Sequence, residues 1–498
     1  MVIQKEKDAF LALLKEQSVL KNITFMMQWD THANIPPKGL DDRLESVGYI
    51  SEKLHQLNTS DKMKYYIDLF KEDPDDELLR QIALECEALY DKNRKIPQQL
   101  HKEFVMLKAK SEAVWQEARK QSDFQLFQPY LEKMVAYNQQ FTDYWGYDAH
   151  RYDALLNQYE PGMTVELLDG VFPKLRTAII DLLGRINGSD KEINESKLTK
   201  YFPEANQKEL SLALLSKIGF DGQAGRLDTS VHPYTFAFHK NDVRITTRYN
   251  PNDFRESVSS ALHEGGHALY EQNFADKLRN TPLAEVSSMG MHESQALYWE
   301  SFIHGSKEFW EANLDVFKTH APKEFHDLTA SDLYQSSHVV KPSLIRVEAD
   351  EVTYPLHIMI RYELEKALLD GEVKMSDLPG IWNEKMKDYL GVAPPSDREG
   401  ILQDIHWSSG DFGYFPLYTI GMMYAAQLHH TMDKELHVKQ RVRNNELEQI
   451  KGWLTDHVYQ YGKSKKPLDI LMNATNEPLN PDYLITYLTG KYSDLYEV

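Results

Sequence analysis

The chain has 498 residues, and its 56 Lys and Arg against 76 Asp and Glu give a formal net charge of −20 at pH 7. This acidic balance argues against nucleic acid as a partner. The only cysteine, Cys86, cannot form an internal disulfide, and no apolar run of about 18 residues predicts a membrane span. The N-terminal residues lack the apolar core of a signal peptide, so a cytoplasmic location is expected.

Length alone suggests about three domains, yet no Pro/Gly/Ser-rich linker and no low-complexity tract divides the chain. Most segments show 3.6-residue apolar periodicity with strong helix-forming residues. We therefore predict a mainly α protein with a single domain over residues 1–498. This domain forms a large helical body, which can be divided into two lobes around a groove. The helices predicted before residue 220 are Glu6–Leu20, Asp41–Leu57, Leu78–Lys92, Gln98–Gln121, Phe124–Trp145, Val165–Asn187 and Asn206–Ile218.

The segment Gly222–Asn250 departs from the helical pattern, because Thr, Val, Phe and Tyr dominate it. Residue types alternate in Thr235–Phe238 and Val243–Tyr249, and His239–Asp242 is the predicted turn between them. We predict a small antiparallel β-sheet directly before the next helix. The edge of such a sheet can grip an extended peptide through main-chain hydrogen bonds, although a purely structural hairpin fits the pattern equally well.

An HExxH motif, residues 263–267, lies in a helix predicted from Asp253, its cap, to about Phe274. Residues four apart share one helix face, so His263 and His267 can bind one Zn²⁺, while Glu264 points to the side where a metal-bound water would sit. Glu256, three residues after Asp253, predicts a capping box. The glycines between the histidines cost roughly 1 kcal/mol each in a helix, which indicates that another segment approaches the backbone there. A helix with two surface histidines is the alternative.

A tetrahedral catalytic zinc needs a third protein ligand and an open position for water. The next predicted helix, Met289–Ile303, carries His292 and Glu293 side by side. Adjacent helical residues point about 100° apart, so only one of the two can face the metal. Glu293 is favoured, because it would complete a His₂Glu site, and His292 is the rival. Glu285 and Glu300 are further candidates that we interpret as parts of a solvated helix face.

Two further regions carry polar residues among apolar ones. A long helix is predicted over Ser343–Asp370, with an interruption at Pro355. The segment 400–427 then combines polar and aromatic side chains, which favours a buried polar network beneath an aromatic cluster. Its polar and aromatic members are Gln403, Asp404, His406, Trp407, Tyr414 and Tyr418.

Several of these stretches together resemble the carboxypeptidase Taq family of thermostable HExxH metallocarboxypeptidases. Their order and spacing cover essentially the whole chain, so the resemblance is highly specific. Tyr234 stands where the family has the Phe of its HPF element. The matching stretches are Gln28–Asp30, Pro36–Gly39, His232–Tyr234 (HPF), Asp242–Thr246 (DxRxT), His263–His267, His292–Gln295 (HESQ), Ile345–Asp350 (IRxxAD) and Gly400–Trp407 (GxxQDxHW).

The resemblance implies an almost wholly helical fold with a deep groove, similar to neurolysin and angiotensin-converting enzyme. It implies that Glu293, the Glu of the HES motif, is the third zinc ligand beside His263 and His267. It also implies removal of single residues from peptide C-termini with broad side-chain tolerance, and a homodimer. We expect one Zn²⁺ per chain, for which Co²⁺ can substitute.

The sequence therefore leads to a mechanistic hypothesis. A zinc-activated water attacks the scissile carbonyl, and Glu264 takes the water's proton and passes it to the leaving amine. A second donor is expected at the developing oxyanion, and Tyr418, Tyr414 and His406 are open alternatives for it. An Asp or Glu behind each zinc histidine should fix its tautomer, with Asp350 and Asp404 as candidates.

An enzyme that starts from the C-terminus must recognise a free carboxylate, for which Arg is the natural partner. Arg346 is the first candidate, because it lies in the IRxxAD match, and Arg244 is the second. An internal salt bridge is the alternative role of either arginine. Two other functions compete with the carboxypeptidase interpretation. One is a zinc endopeptidase or oligopeptidase of the neurolysin type, and the other is a helical scaffold with structural or no zinc.

Overall fold

The computed structural model describes residues 2–33 and 35–498, which contain twenty α-helices and one three-stranded sheet. The helices before the sheet are α1 (Val2–Ala33), α2 (Leu40–Asn58), α3 (Asp61–Phe70), α4 (Glu77–Lys95), α5 (Gln98–Gln121), α6 (Phe124–Trp145), α7 (Arg151–Tyr159), α8 (Val165–Asn187) and α9 (Glu204–Ile218). Those after it are α10 (Phe254–Gln272), α11 (Met289–Leu297), α12 (Lys307–His320), α13 (Ala330–Ser336), α14 (Tyr354–Asp370), α15 (Leu378–Leu390), α16 (Pro416–Leu436), α17 (Val438–Arg443), α18 (Leu447–His457), α19 (Pro467–Thr475) and α20 (Asp482–Tyr496).

A π-helix, Tyr298–His304, continues α11, so the helix predicted over Met289–Ile303 changes its winding halfway. Short 3₁₀ turns complete the helical elements at Pro37–Gly39, Glu195–Lys197, Asp276–Leu278, Lys323–Phe325, Arg346–Glu348, Met375–Asp377 and Tyr459–Ser464. The predicted bounds of α5, α6 and α8 are confirmed residue for residue. Apolar periodicity locates α6 and α8 well, because each buries a stripe of side chains along its length, whereas α5 buries only Ser111, Trp115 and Ala118.

The long helix predicted over Ser343–Asp370 is wrong in its first part. The helix α14 begins at Tyr354, and the chain before it forms only the 3₁₀ turn Arg346–Glu348. Pro355 therefore lies at the start of the helix and does not interrupt it. A proline fits a first helical turn because the backbone N–H that it lacks would have no helical partner there.

The sheet consists of β1 (Gly225–Thr229), β2 (Thr235–His239) and β3 (Asp242–Thr247), with β3 in the middle. The predicted hairpin is confirmed, since β2 pairs antiparallel with β3. The sheet as a whole is mixed, however, because β1 pairs parallel with β3, so the purely antiparallel prediction is wrong. Gly225 begins β1 close to β3: a Cβ there would lie 2.4 Å from the Val243 carbonyl oxygen, and only glycine allows this approach.

The buried apolar side chains form two clusters. The larger one extends from Trp115 to Tyr496 and surrounds α10, α11 and α16. The smaller one joins α1, α3 and α4 to Leu278 and Leu283. Within the described ranges, none of the helices combines the length and the hydrophobicity needed to cross a bilayer.

Candidate metal centre

The helix α10 presents both histidines of the HExxH motif. It begins after Asp253, whose side chain accepts a hydrogen bond from the Arg255 backbone N–H at 3.1 Å, so the predicted cap is confirmed. The predicted capping box is wrong, because Glu256 accepts hydrogen bonds from Arg248 on the strand side and does not reach back to the cap.

The two glycines of the motif lie where other helices approach α10. A Cβ on Gly266 would lie 2.5 Å from the Gln295 carbonyl oxygen and 2.7 Å from Ala296 Cα, and one on Gly265 would lie 2.6 Å from Leu215 Cδ2. The close approach predicted from the glycine pair is confirmed. Because the α10 and α11 backbones meet at Gly266, side chains from α11 reach the histidine face of α10.

The structure brings His263, His267 and Glu293 together. Glu293 Oε2 lies 3.9 Å from His263 Nε2 and 3.5 Å from His267 Nε2, and the three ligand atoms lie within 4.8 Å of one another. Tetrahedral ligand atoms at about 2.0–2.1 Å from zinc would be roughly 3.3 Å apart. Two imidazole nitrogens and one carboxylate oxygen at these distances therefore fit a divalent metal with little rearrangement.

The outer nitrogen of each imidazole has a hydrogen-bond partner. His263 Nδ1 lies 2.8 Å from Glu300 Oε2, and His267 Nδ1 lies 3.1 Å from the His292 carbonyl oxygen. Carboxylates and carbonyls accept hydrogen bonds, so each Nδ1 donates a proton to its partner, and Nε2 is the ring nitrogen on the Glu293 side. The predicted role of Asp350 or Asp404 behind the histidines is wrong.

Glu300 and Glu285, which the sequence analysis interprets as parts of a solvated helix face, both pair with other side chains. Glu300 lies in the π-helix, also binds the Ser259 hydroxyl, and is only partly exposed. Glu285 pairs with Lys21 and Lys463 instead of facing the imidazoles. Interpreting Glu300 as part of a solvated helix face is wrong. A residue seven positions after Glu293 returns to nearly the same helix face, so Glu300 lies on the same side as Glu293.

His292, the rival third ligand, is used differently. Its ring lies against the His267 ring at a tilt of 30°, with centroids 3.9 Å apart, and its Nε2 lies 3.4 Å from Glu271 Oε1. Its side chain therefore supports His267 from behind, while its neighbour Glu293 points to both Nε2 atoms. Adjacent positions on α11 thus face different ways, as helical geometry requires.

The metal centre carries more negative than positive groups. Burial alone would lower the pKa of His263, but Glu293 and Glu300 beside it outweigh burial and raise the pKa to about 10. Burial raises the pKa of Glu293, and the adjacent His263 and His267 reverse this and lower it. Glu264 adds a third carboxylate, 6 % exposed, whose Oε2 accepts a hydrogen bond from Thr235 at 2.6 Å. Three carboxylates around two imidazoles form a site for a cation.

A second buried cluster has the opposite balance. Asp404 accepts from Arg346 Nη2 at 2.8 Å and from Arg361 Nε at 2.7 Å, and the two arginines are 4 % and 0 % exposed. Burial would raise the pKa of Asp404, but the two guanidinium groups lower it well below its usual range. The cluster therefore holds two positive charges against one negative charge. Arg346 also donates to the hydroxyl of Tyr354, a residue that the sequence reasoning missed.

Aromatic side chains lie between the two clusters. Arg346 Cζ lies 5.0 Å from the Tyr418 ring centre, and the Tyr414 ring lies 5.7 Å from that of Tyr418. On α16 Tyr418 lies one turn before Gly421, where a Cβ would be 3.0 Å from Glu293 Cγ. Burial is the main cause that raises the pKa of Tyr414 and Tyr418, and the Glu293 charge adds to it, so both phenols keep their proton as donors.

The last two predicted site residues are His406 and Arg244. Burial lowers the pKa of His406 to about 4, so its imidazole is neutral at pH 7, and its ring lies 5.6 Å from Tyr414.

Arg244 makes two parallel hydrogen bonds to Asp242, at 2.8 and 2.9 Å, on the same strand. This is the geometry of the structural ion pair that the sequence left as an alternative for Arg244.

An HExxH helix with a neighbouring carboxylate defines a metallopeptidase-like site, and comparison with known proteins agrees. The sequence model of the carboxypeptidase Taq (M32) metallopeptidase family matches residues 9–492. The chain belongs to this family and is therefore a metallocarboxypeptidase, a peptide hydrolase that uses a metal. The predicted family is confirmed.

Individual relatives match over almost their full length. The chain is 46% identical to carboxypeptidase 1 of Bacillus subtilis, with 100% of each chain covered. It is 36% identical to thermostable carboxypeptidase 1 of Thermus thermophilus, with 98% of each covered. The crystal structure of an M32 carboxypeptidase from Deinococcus radiodurans R1 superposes with a TM-score of 0.96 at 30% identity, over 99% of this chain and 100% of that one.

Proposed function

We propose that this protein is a zinc metallocarboxypeptidase that releases single C-terminal amino acids from peptides with broad specificity. The observation that carries the proposal is the convergence of His263 Nε2, His267 Nε2 and Glu293 Oε2, each imidazole being oriented by a partner on its other nitrogen. A zinc ion held there would activate a water molecule and polarise the scissile carbonyl, and Co²⁺ suits the same donors. The protein side chains supply the remaining steps.

Glu264 is proposed as the general base and later the general acid. It lies one residue after His263 on α10, and its side chain is anchored by the Thr235 hydroxyl through Oε2. The carboxylate takes a proton from the attacking water and returns it to the leaving amine. Glu264 is 6 % exposed, which limits the contact of its carboxylate with bulk water.

The oxyanion of the tetrahedral intermediate needs a donor from the protein. Tyr418, Tyr414 and His406 are proposed for this position. Tyr418 has the closest relation to the metal centre, since it precedes by one turn the glycine that contacts Glu293. Its phenol remains protonated, as does that of Tyr414, which we also propose to contact the bound peptide.

The substrate carboxylate is proposed to bind at Arg346. Two buried arginines share the single carboxylate of Asp404, which leaves one positive charge that a substrate C-terminus would neutralise. Tyr354 and Tyr418 pack against the guanidinium and hold its plane. Arg244 remains the second candidate, and its pairing with Asp242 makes it the weaker one.

Broad specificity has a physical basis in the sheet. The strand β2 is at one edge of the sheet and packs beside α10, and we propose that its outer main-chain groups pair with an extended peptide. Main-chain hydrogen bonds are made by any substrate residue and do not select a side chain.

The wider architecture is also part of the proposal. We propose a single catalytic domain over residues 1–498, with two lobes around a groove as in neurolysin and angiotensin-converting enzyme, and a cytoplasmic homodimer. The separate small core of α1, α3 and α4 supports two lobes. The helix α2 buries none of its side chains and exposes Leu44 and Tyr49, which favours a partner surface there.

Product masses test this function directly. The zinc-loaded protein is incubated with unblocked peptides, and the products are read by mass spectrometry. Ladders of peptides shortened one residue at a time from the C-terminus are expected. Internal fragments would replace the proposal by an endopeptidase of the neurolysin type. A chelator that abolishes hydrolysis without unfolding the chain would exclude the structural-zinc scaffold.

A further inference from the structure

The carboxylate of Glu264 is held by one side chain from outside its own helix. Thr235 Oγ1, on β2, lies 2.6 Å from Glu264 Oε2 and 3.0 Å from the Glu264 backbone carbonyl oxygen. The two residues are 29 positions apart in the sequence. The contact therefore exists only because the sheet packs against α10.

We propose that Thr235 is a positioning residue for the reaction: its hydroxyl fixes one oxygen of Glu264 and so aims the other at the water to be deprotonated. This inference rests on the proposed role of Glu264 as the base. Thr235 binds Oε2 of Glu264 and leaves Oε1, the oxygen that we propose takes the proton, to the water. It acts through Glu264 alone.

The hydrogen-bond geometry supports this assignment. A hydroxyl has one hydrogen to donate, and 2.6 Å lies in the range of about 2.5–2.7 Å for an O–H bonded to a carboxylate. The hydrogen is therefore directed to Oε2, and the backbone carbonyl oxygen at 3.0 Å is the secondary acceptor. No hydrogen bond involves Glu264 Oε1 within residues 2–33 and 35–498, so this oxygen has room for a further hydrogen bond, which we assign to the water.

Thr235 is itself rigidly held. It pairs with Ile245 in the ladder between β2 and β3, and Ile245 is fully buried. A β-branched side chain in a strand has few χ1 choices. The hydroxyl is therefore a fixed point, whereas a free Glu side chain would sample several rotamers. Since misplacement of a reacting group by about 1 Å can cost 10²-fold in rate, restricting Glu264 contributes directly to turnover.

Two substitutions at this position separate the hydroxyl from the rest of the side chain. Thr235→Val keeps the shape and removes the hydroxyl, and Thr235→Ser keeps the hydroxyl. We expect the Val variant to lose about 10-fold or more in kcat with KM and bound zinc little changed, and the Ser variant to recover most of kcat. Equal kcat for wild type and Thr235→Val, or equal loss in both variants, would overturn the proposal.

Thr247 provides a matched control on the neighbouring strand. Its hydroxyl is buried and lies 2.9 Å from the Ser257 carbonyl oxygen and 2.7 Å from the Ser260 hydroxyl, both on α10, and it makes no hydrogen bond to Glu264. Thr247→Val is expected to lower thermal stability and leave kcat unchanged. A loss of kcat in Thr247→Val equal to that in Thr235→Val would mean that any lost sheet–helix hydrogen bond has this effect, and the proposal would fall.

A double-mutant cycle with Glu264→Gln shows through which residue Thr235 acts. If Thr235 works through the base, Thr235→Val has no further effect on the residual kcat of Glu264→Gln. An undiminished effect in that background contradicts the inference. Near-normal turnover of Glu264→Gln alone contradicts the proposed function instead, so the two failures are distinguishable.

Discussion

The two buried polar clusters of this molecule are unbalanced in opposite directions. Around the HExxH helix, Glu264, Glu293 and Glu300 outnumber two imidazoles. Around Asp404, two guanidinium groups share one carboxylate. Burying an uncompensated charge costs free energy. A ligand of opposite sign that binds at either cluster would compensate its excess charge. We propose a metal cation as the ligand of the first cluster and a substrate carboxylate as the ligand of the second, with tyrosines between them.

The largest expected effect concerns the chemistry at the negative cluster. Glu264→Gln removes the proposed base and leaves the three proposed metal ligands in place, so kcat should fall by about 10²–10⁴-fold while zinc content is retained. Steady-state kinetics and metal analysis of the same preparation measure both quantities. Retained zinc with near-normal turnover would remove Glu264 from the mechanism.

Loss of one carboxylate behind the imidazoles should weaken metal binding. Glu300→Gln removes the charge that orients His263, and we expect about 10–100-fold lower zinc affinity, measured by competition with a chromophoric chelator. Glu285→Gln is the matched control, because this nearby carboxylate pairs with lysines instead of an imidazole. If both variants bind zinc like wild type, the orienting role of Glu300 is wrong.

The positive cluster is probed with paired substrates. Wild type should prefer a peptide with a free C-terminus over its amidated form, and Arg346→Ala should lose about 10-fold or more of that preference, because a charge-assisted hydrogen bond contributes about 1.5–3 kcal/mol. Arg244→Ala is the comparison, since Arg244 already binds Asp242. If Arg346→Ala still prefers the free C-terminus as wild type does, Arg346 does not bind the substrate carboxylate. If only Arg244→Ala loses the preference, the carboxylate site is at Arg244.

The smallest effect on turnover is expected at Glu160, which holds the N-terminus of α11. Burial raises its pKa to about 7, despite hydrogen bonds from Tyr424, Ser288 and the Gly290 N–H that lower it. Because the folded state favours the protonated form, this contribution to stability is complete below the ordinary glutamate pKa of 4.5 and is lost as pH rises through about 7. Glu160→Gln should remove that dependence.

The measurement is chemical unfolding of wild type and Glu160→Gln from about pH 4.5 to about pH 8. We subtract the unfolding free energy of Glu160→Gln from that of wild type at each pH. This difference should fall by about 1–3 kcal/mol as pH rises across the range, because wild type loses stability relative to the variant. Parallel pH curves for the two proteins would show that Glu160 does not titrate as proposed.

The sequence predicted the HExxH helix α10 well, because the spacing of its histidines and glycines is a local feature of the chain. Two histidines four residues apart must share a face wherever the helix lies, and the glycine pair signals a close approach without naming its partner. The identity of that partner, the α11 backbone at Gln295 and Ala296, depends on tertiary packing. The choice between His292 and Glu293 stayed open on spacing alone for the same reason.

The contacts that orient the site were beyond local reasoning. Arg346 and Asp404 are 58 residues apart, and Thr235 reaches Glu264 only through the packing of β2 on α10. Glu300 was open to prediction, since its seven-residue spacing from Glu293 places both on one helix face. The parallel strand β1 was missed because its pairing depends on the chain crossing to the far side of β3.

The most direct test of the account is anomalous diffraction at the zinc edge from crystals grown with zinc, combined with metal analysis in solution. We expect one ion per chain, bound by Nε2 of His263 and His267 and an oxygen of Glu293, with a remaining position open to solvent. No ion at that place under zinc-replete conditions, or an ion closed off by a fourth protein ligand, would contradict it.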